Sequence, residues 1–224
     1  MKILLSLLTI VALVLGLSWW FAPEPSPELL TPRTDLPWQI HVNNDGSLHV
    51  FDLDIGRSTL TEATAKFGSP ERAAVFQRKA GGFDLEIYFG KVHFGPLTAQ
   101  VVVKLAAPED RLRALAEQAD KREASPTGDW KFPLHDETLA ELMNQPMIAI
   151  SYVPGTHDLN PAFFLKRFGA PTAWFPEPDS TTAHSWFYPD RGLSILIDDK
   201  GPDVLEYVRP TDFRLPTDVQ PYTD

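Results

Sequence analysis

VFDLDIGRSTLTEATAKFGSPERAAVF at Val50–Phe76 and ISYVPGTHDLNPAFFLKRFGAPTAWF at Ile150–Phe175 are two stretches of the chain with the same order of residue types. In each, an apolar strand leads through a glycine turn to a helix start, a short helix, a Phe-Gly-x-Pro sequence and a second apolar strand. We expect Gly68 and Gly169 to be left-handed C-caps, and the proline two residues later prevents the helix from continuing. The repeated order predicts a duplicated structural unit.

The starts of the two helices have recognisable capping residues. Thr59 and Glu62 have the spacing of a capping box, in which the hydroxyl and the carboxylate cover unpaired backbone amides. Asn160 followed by Pro161 is a cap with proline at the first helical position. Both signals predict that a helix begins directly after the cap.

Alternating apolar and polar residues follow each helix and predict antiparallel strands. An Asn44-Asp45-Gly46 turn predicts a hairpin before the first helix. The predicted strands are Gln39–Val42, Ser47–Leu53, Ala73–Lys79, Phe83–Phe89 and Thr98–Leu105 in the first half, and Thr172–Phe175, His184–Tyr188, Leu193–Ile197 and Val204–Val208 in the second.

Two more helices are predicted between the units, one opening at Pro108 and one capped by Asp136, with the loop Asp120–Lys131 separating the halves. The fold class that follows is α+β, with two tandem helix-plus-antiparallel-sheet repeats behind an N-terminal transmembrane helix. The repeats have either a small sheet each or one mixed sheet that they share. The predicted domains are an anchor or signal segment at 1–22, a proline-rich linker at 23–37, and repeats at 38–130 and 131–224.

The N-terminal segment Ile3–Ala22 carries no charge and is long enough, at about 30 Å, to span the hydrocarbon core of a bilayer. A cleaved signal peptide, cut after Ser18, is the alternative; it would leave three large aromatic residues at the mature N-terminus. The linker that follows holds five prolines and predicts an extended spacer. We therefore expect a single-pass inner-membrane protein whose C-terminal part is periplasmic.

The composition excludes several classes of function. The 224 residues carry a formal charge of −10, which opposes non-specific binding to nucleic acid. The chain has no cysteine, which excludes disulfides, zinc-thiolate sites, thiol catalysis and lipidation of a cysteine. The high share of apolar and aromatic residues, 43% and 11%, excludes a disordered chain.

No catalytic or metal-binding constellation stands out. The chain has no Gly-x-Ser-x-Gly turn, no phosphate-binding glycine loop and no His-Glu-x-x-His sequence. Three groups of residues carry possible metal ligands, but their positions are more typical of a helix start, a solvated strand face and a turn: His135-Asp136-Glu137 with Glu141, Asp52 with Asp54, and Asp198-Asp199. We predict no catalytic residue, no metal and no cofactor.

The helix, the Phe-Gly-x-Pro stop and the following strands resemble the SmpA/OmlA (BamE-type) family of small outer-membrane lipoproteins, which act in β-barrel assembly. They are also similar to the β-lactamase-inhibitor-protein fold, in which two such units stand in tandem. The resemblance implies a non-enzymatic module that binds proteins of the cell envelope. The lipobox cysteine of the lipoprotein family is missing. The residues that carry the resemblance are Gly56, Phe67, Gly68, Pro70, Gly155, Phe168, Gly169 and Pro171.

Aromatic residues supply the candidate binding surface, with Trp186 and Tyr188 on one face of a predicted strand and Trp174 on a nearby strand. The alternative is that the same residues belong to the core. The leading interpretation is a membrane-tethered scaffold that binds an unidentified envelope protein. An inhibitor of an envelope enzyme, using an acidic loop at Asp179 or at Asp198–Asp199, and an envelope hydrolase with scattered Asp, Glu and His remain open.

Overall fold

The computed structural model describes residues 33–125, 128–156, 159–178 and 180–223. The predicted membrane segment and the linker up to residue 32 lie outside these residues. Among the described residues, no helix combines the length and the apolar character that a membrane crossing requires. The segment Thr34–Asp224 forms one compact unit.

Fourteen strands and four α-helices make up the described part of the chain. The helices are α1 (Leu60–Phe67), α2 (Glu109–Gln118), α3 (Asp136–Glu141) and α4 (Pro161–Phe168). The strands of the first half are β1 (His41–Val42), β2 (Leu48–Val50), β3 (Leu53–Ile55), β4 (Arg72–Gln77), β5 (Phe83–Phe94), β6 (Leu97–Leu105), β7 (Glu123–Ala124) and β8 (Trp130–Pro133). Those of the second half are β9 (Met147–Pro154), β10 (Ala173–Pro176), β11 (Ala183–Tyr188), β12 (Leu193–Asp198), β13 (Val204–Val208) and β14 (Gln220–Pro221).

Eleven of the strands form one antiparallel sheet, in the order β14-β10-β11-β12-β13-β9-β6-β5-β4-β8-β7. The predicted α+β class with two tandem helix-plus-sheet repeats is therefore wrong, because the protein is mostly β and its sheet runs continuously through both halves. The β9 strand makes the junction: it pairs with β6 on one side and β13 on the other. Had each half kept its own sheet, β6 and β9 would each have exposed an unpaired edge.

The strands that precede the two matching helices have different positions. In the second half, β9 lies in the middle of the large sheet. In the first half, β3 belongs to a separate three-stranded sheet, β1-β2-β3. The loop expected at Asp120–Lys131 also differs, since it holds β7 and the start of β8, which extend the sheet past β4. The similar sequences thus enter dissimilar surroundings.

One face of the large sheet, here called the inner face, carries the hydrophobic core. Its central row runs through Ile87, Val103, Ile150, Tyr207 and Leu193, which are direct cross-strand neighbours and almost fully buried. The helices and the small sheet pack on this face and belong to the same core cluster. Burial of such side chains contributes about 1.5–3 kcal/mol each, which makes this face the main source of stability.

A tight turn that the sequence did not predict separates β2 from β3. Phe51 and Asp52 both have positive φ values, 57° and 59°, where non-glycine residues are uncommon. The predicted strand Ser47–Leu53 is therefore wrong, because the chain reverses at Phe51. Phe51 is fully buried, and the burial of its ring offsets the cost of the left-handed backbone.

The helix caps follow the sequence prediction in part. Thr59 and Glu62 form the capping box of α1, and Asn160 accepts a hydrogen bond from the amide of Phe163 at the start of α4. Gly68 and Gly169 have positive φ values of 93° and 76°, as expected. Their ψ values of −172° and −171° are extended, so the left-handed C-caps are wrong in detail.

The opposite, outer face of the sheet carries a half-buried charge cluster. Arg78 donates from Nε to Asp84 Oδ2 at 2.5 Å, from Nη2 to Glu86 Oε1 at 2.5 Å and from Nη1 to Asp129 Oδ2 at 3.0 Å. Burial lowers the pKa of Arg78, but the hydrogen bonds to the carboxylates outweigh it and hold the pKa above its usual value. The cluster ties the β4–β5 hairpin to the residue just before β8.

Candidate binding cleft

An open cleft of about 570 Å³ lies on the inner face at the β10–β11 end of the large sheet. No residue of any described helix lines it. Aromatic side chains from three strands or strand ends meet polar residues of the β10–β11 connection there. The lining residues are Trp174, Pro176, Ser180, Thr181, Thr182, Ala183, His184, Trp186, Asp199, Tyr222 and Thr223.

Two of the three predicted binding residues lie in this cleft. Trp174 on β10 and Trp186 on β11 are direct cross-strand partners, so both indoles project from the same face. Trp186 is 5% exposed, whereas Trp174 is half-buried. Trp186 therefore belongs to the edge of the core, and Trp174 presents the more accessible ring.

The third predicted residue, Tyr188, lies outside the cleft. Its hydroxyl donates to the carbonyl oxygen of Gly169 at 3.0 Å, and its ring packs at 5.8 Å from that of Phe168 at the end of α4. Burial raises the pKa of Tyr188 above the usual value for a phenol. Tyr188 thus anchors α4 to the sheet. Trp186 and Tyr188 are two residues apart on β11, so both project from the inner face, and α4 covers Tyr188 there.

Tyr222, which the sequence did not single out, completes the aromatic wall. Residues Gln220–Pro221 pair with β10 as a short edge strand, and Tyr222 follows directly. Its ring meets that of Trp186 edge-on, with 5.7 Å between the centroids. The C-terminal segment has no alternation that would have indicated a strand, so only the tertiary pairing reveals its role.

The polar rim of the cleft is held in place by hydrogen bonds. Ser180 Oγ accepts from the amides of Thr182 at 3.2 Å and Ala183 at 3.0 Å. Thr182 Oγ1 donates to Asp198 Oδ1 at 2.8 Å, and the amide of Lys200 donates to the same oxygen at 3.1 Å. These two bonds lower the pKa of Asp198, the amide of Lys200 contributing most. Asp198 therefore works as a turn-stabilising carboxylate, which leaves exposed Asp199 at the rim. Asp179, the other residue predicted for an inhibitory acidic loop, lies outside the described residues.

The remaining acidic groups have structural partners. Asp52 accepts from Lys66 Nζ at 2.6 Å and from Thr34 Oγ1 at 3.0 Å. Asp54 lies 2.7 Å from His49 Nδ1 and accepts from Asn43. Burial raises the pKa of both carboxyls, but these hydrogen bonds outweigh it and leave each pKa lowered.

The described residues contain no group of three or more His, Asp or Glu side chains arranged to hold a metal ion. His135 lies 3.2 Å from the carboxylate of Asp120 and precedes α3 as its N-cap, the place expected for Asp136. Glu141 pairs with Arg111 at 2.8 Å. These residues therefore do not converge on one point.

Comparisons of this chain with protein-family models, with curated proteins and with solved structures found no match. The resemblance to the SmpA/OmlA family and to the β-lactamase-inhibitor-protein fold consequently stays a prediction. The interpretation of the cleft rests on its own geometry.

Proposed function

We propose that this protein is a non-catalytic binding module that contacts an envelope protein through the aromatic cleft. The observation that carries the proposal is the half-buried Trp174, set against Trp186 in a cleft that no described helix covers. In the same proposal, the N-terminal segment Ile3–Ala22 tethers the module to the inner membrane, and the C-terminal unit faces the periplasm.

Tryptophan and tyrosine favour this role for physical reasons. They bury large areas, lose little side-chain entropy when they are ordered, and keep one polar atom for a hydrogen bond. They contribute most of the binding energy where surrounding contacts, which themselves contribute little, exclude water. Here the rim includes Ser180, Thr181 and His184, which line the cleft together with Asp199.

Site-specific photocrosslinking in intact cells tests the proposal. We would place a photoreactive residue at exposed Thr181 in the full-length protein and look for adducts of defined mass. The expected result is one dominant protein adduct that the Trp174→Ala variant loses. Trp130→Ala is the matched control, because Trp130 is an exposed tryptophan, 40% accessible, on β8 far along the sheet order.

Two results would contradict this function. One is the absence of any protein adduct above the level of a cell line that lacks the photoreactive residue. The other is an adduct that survives in Trp174→Ala as strongly as in Trp130→Ala. The membrane tether is tested separately by fractionation and by protease accessibility in spheroplasts, where we expect the protein in the membrane pellet and its C-terminal unit to be cleaved from outside.

A further inference from the structure

A second cavity, separate from the aromatic cleft, lies between α4 and the start of β6. Its volume is about 190 Å³. The wall is mostly apolar and comes from α4, from β9, from the start of β6 and from the segment that precedes β1. The residues that define it are Trp38, Leu97, Tyr152, Leu159, Phe163 and Phe164. A cavity of about 150 Å³ with such a lining stays dry and takes up an apolar molecule the size of benzene.

An exposed cation lies at the border of this cavity. The guanidinium of Arg167 stacks 4.5 Å from the ring centroid of Trp38 and 5.4 Å from that of Phe163, and both rings line the cavity. Among the described residues, no carboxylate lies within ion-pair distance of Arg167. The stacking holds the guanidinium in place through cation–π attraction, so its charge is fixed beside the cavity without being neutralised.

A buried hydroxyl inside the same wall also has no partner. Tyr152 is 3% exposed, and its hydroxyl forms no hydrogen bond with any of the residues that the structure describes. Among the described residues, the one fully enclosed polar side-chain atom without a hydrogen bond is Thr64 Oγ1. The hydroxyl oxygen of Tyr152 is therefore not fully enclosed. The accessible part of Tyr152 therefore includes its hydroxyl, and Tyr152 is one of the residues that line the cavity. Burial raises the pKa of Tyr152 to about 12, so the group is a neutral donor at physiological pH.

We propose that this cavity binds the acyl chain of a small fatty carboxylate, with Arg167 as the counter-ion of its head group. The volume suits a chain of roughly six to eight carbons, slightly larger than benzene. The apolar wall excludes water from the chain, and the guanidinium of Arg167 and the hydroxyl of Tyr152 are donors that a carboxylate can accept from. A protonated amine of the same size offers these donors no acceptor, and an alcohol offers an uncharged oxygen, which makes a weaker hydrogen bond than a carboxylate does.

Calorimetric titration of the full-length protein in phosphatidylcholine nanodiscs tests this proposal, with octanoate as the probe and empty discs as the blank. We expect octanoate to bind at least tenfold more tightly than octanol or octylammonium. Arg167→Gln should remove that preference. Lys166→Gln, which deletes the neighbouring charge on the same exposed part of α4, should leave it unchanged.

Two further variants keep the test decisive. Leu97→Trp fills the cavity and should abolish binding of all three probes, while Tyr152→Phe should weaken octanoate several-fold and octanol less, because the bond to a carboxylate is the stronger one. Equal affinities for octanoate and octanol, or an unchanged preference in Arg167→Gln, would overturn the proposal. All of these variants leave Trp174 intact, so the crosslinking result at the aromatic cleft is independent.

A free fatty acid and a membrane phospholipid both carry an acyl chain. Repeating the titration in discs that contain phosphatidylglycerol distinguishes them. Unaltered octanoate binding supports the free acid, whereas competition by the anionic lipid would overturn the proposal, because a lipid acyl chain is an ester and has no carboxylate to pair with Arg167.

Discussion

Replacing Phe51 with alanine tests whether the unexpected turn between β2 and β3 is held by its buried ring. Phe51 is fully buried and meets four other rings, with centroid separations of 5.0–6.0 Å. All four partners belong to the large sheet or to α1 beside it: Phe94, Tyr152, Tyr207 and Phe67. The ring therefore joins the small sheet to the main core.

The expected cost is about 3–5 kcal/mol of unfolding free energy, the range for removing a fully buried phenylalanine ring without filling the space. Alanine would keep the positive φ of 57° at Phe51, so the backbone strain is the same in both proteins and cancels in the comparison. A unit of this size has a total stability of about 5–15 kcal/mol. The variant should therefore fold, with a midpoint roughly 10 °C lower at about 2–4 °C per kcal/mol.

Urea unfolding of the full-length protein in a non-ionic detergent, followed by tryptophan fluorescence and by circular dichroism, measures this cost. Phe175→Ala is the control, because Phe175 is a half-buried phenylalanine on the outer face of β10 and should cost about 1 kcal/mol. A loss below about 1.5 kcal/mol for Phe51→Ala, or one no larger than that of Phe175→Ala, would refute the reasoning.

Three other substitutions or titrations probe separate interactions. Tyr207 is fully buried and donates to the carbonyl oxygen of Pro37 at 2.8 Å, so Tyr207→Phe should cost about 1.5 kcal/mol in urea unfolding because a buried carbonyl loses its donor. Arg78→Met should cost about 2 kcal/mol at pH 7, because three carboxylates lose their shared cation; urea unfolding at that pH checks this. The hydroxyl and amide of Ser47, with a smaller effect from an arginine, lower the pKa of Asp45 to about 2. Because this pKa is depressed on folding, its stabilising effect is complete above the unfolded value of 3.8 and is lost as the pH falls towards 2; NMR titration should show Ser47→Ala raising the pKa.

Local features of this protein could be predicted because they depend on neighbouring residues. The capping box at Thr59, the cap at Asn160 and the turn at Asn44–Gly46 all formed as expected, since each is a hydrogen-bonding pattern within a few residues. The meander strands β4–β6 and β10–β13 likewise match their alternating patterns. Alternation also placed Trp186 and Tyr188 on the same face.

Long-range features had no local signal. The Phe51–Asp52 turn lacks the glycine or asparagine that indicates a hairpin, and it exists because the core accepts the Phe51 ring. Nothing near Gln220 predicts its pairing with Trp174, which lies far away in the chain. The tryptophans therefore predicted a binding surface. Its position on the sheet and the contribution of Tyr222 became known only from the structure.

The sequence by itself determined where α1 and α4 begin and end, which residues alternate in the meander strands, and which classes of chemistry the composition excludes. Only the tertiary structure decided that both halves share one sheet, because that choice depends on β9 finding unpaired edges on β6 and β13 at the same time. It also decided that Tyr188 supports a helix while Trp174 stays accessible, since burial depends on what packs above a strand. Backbone hydrogen bonding and side-chain alternation act within a few residues, whereas edge pairing and burial are properties of the whole fold.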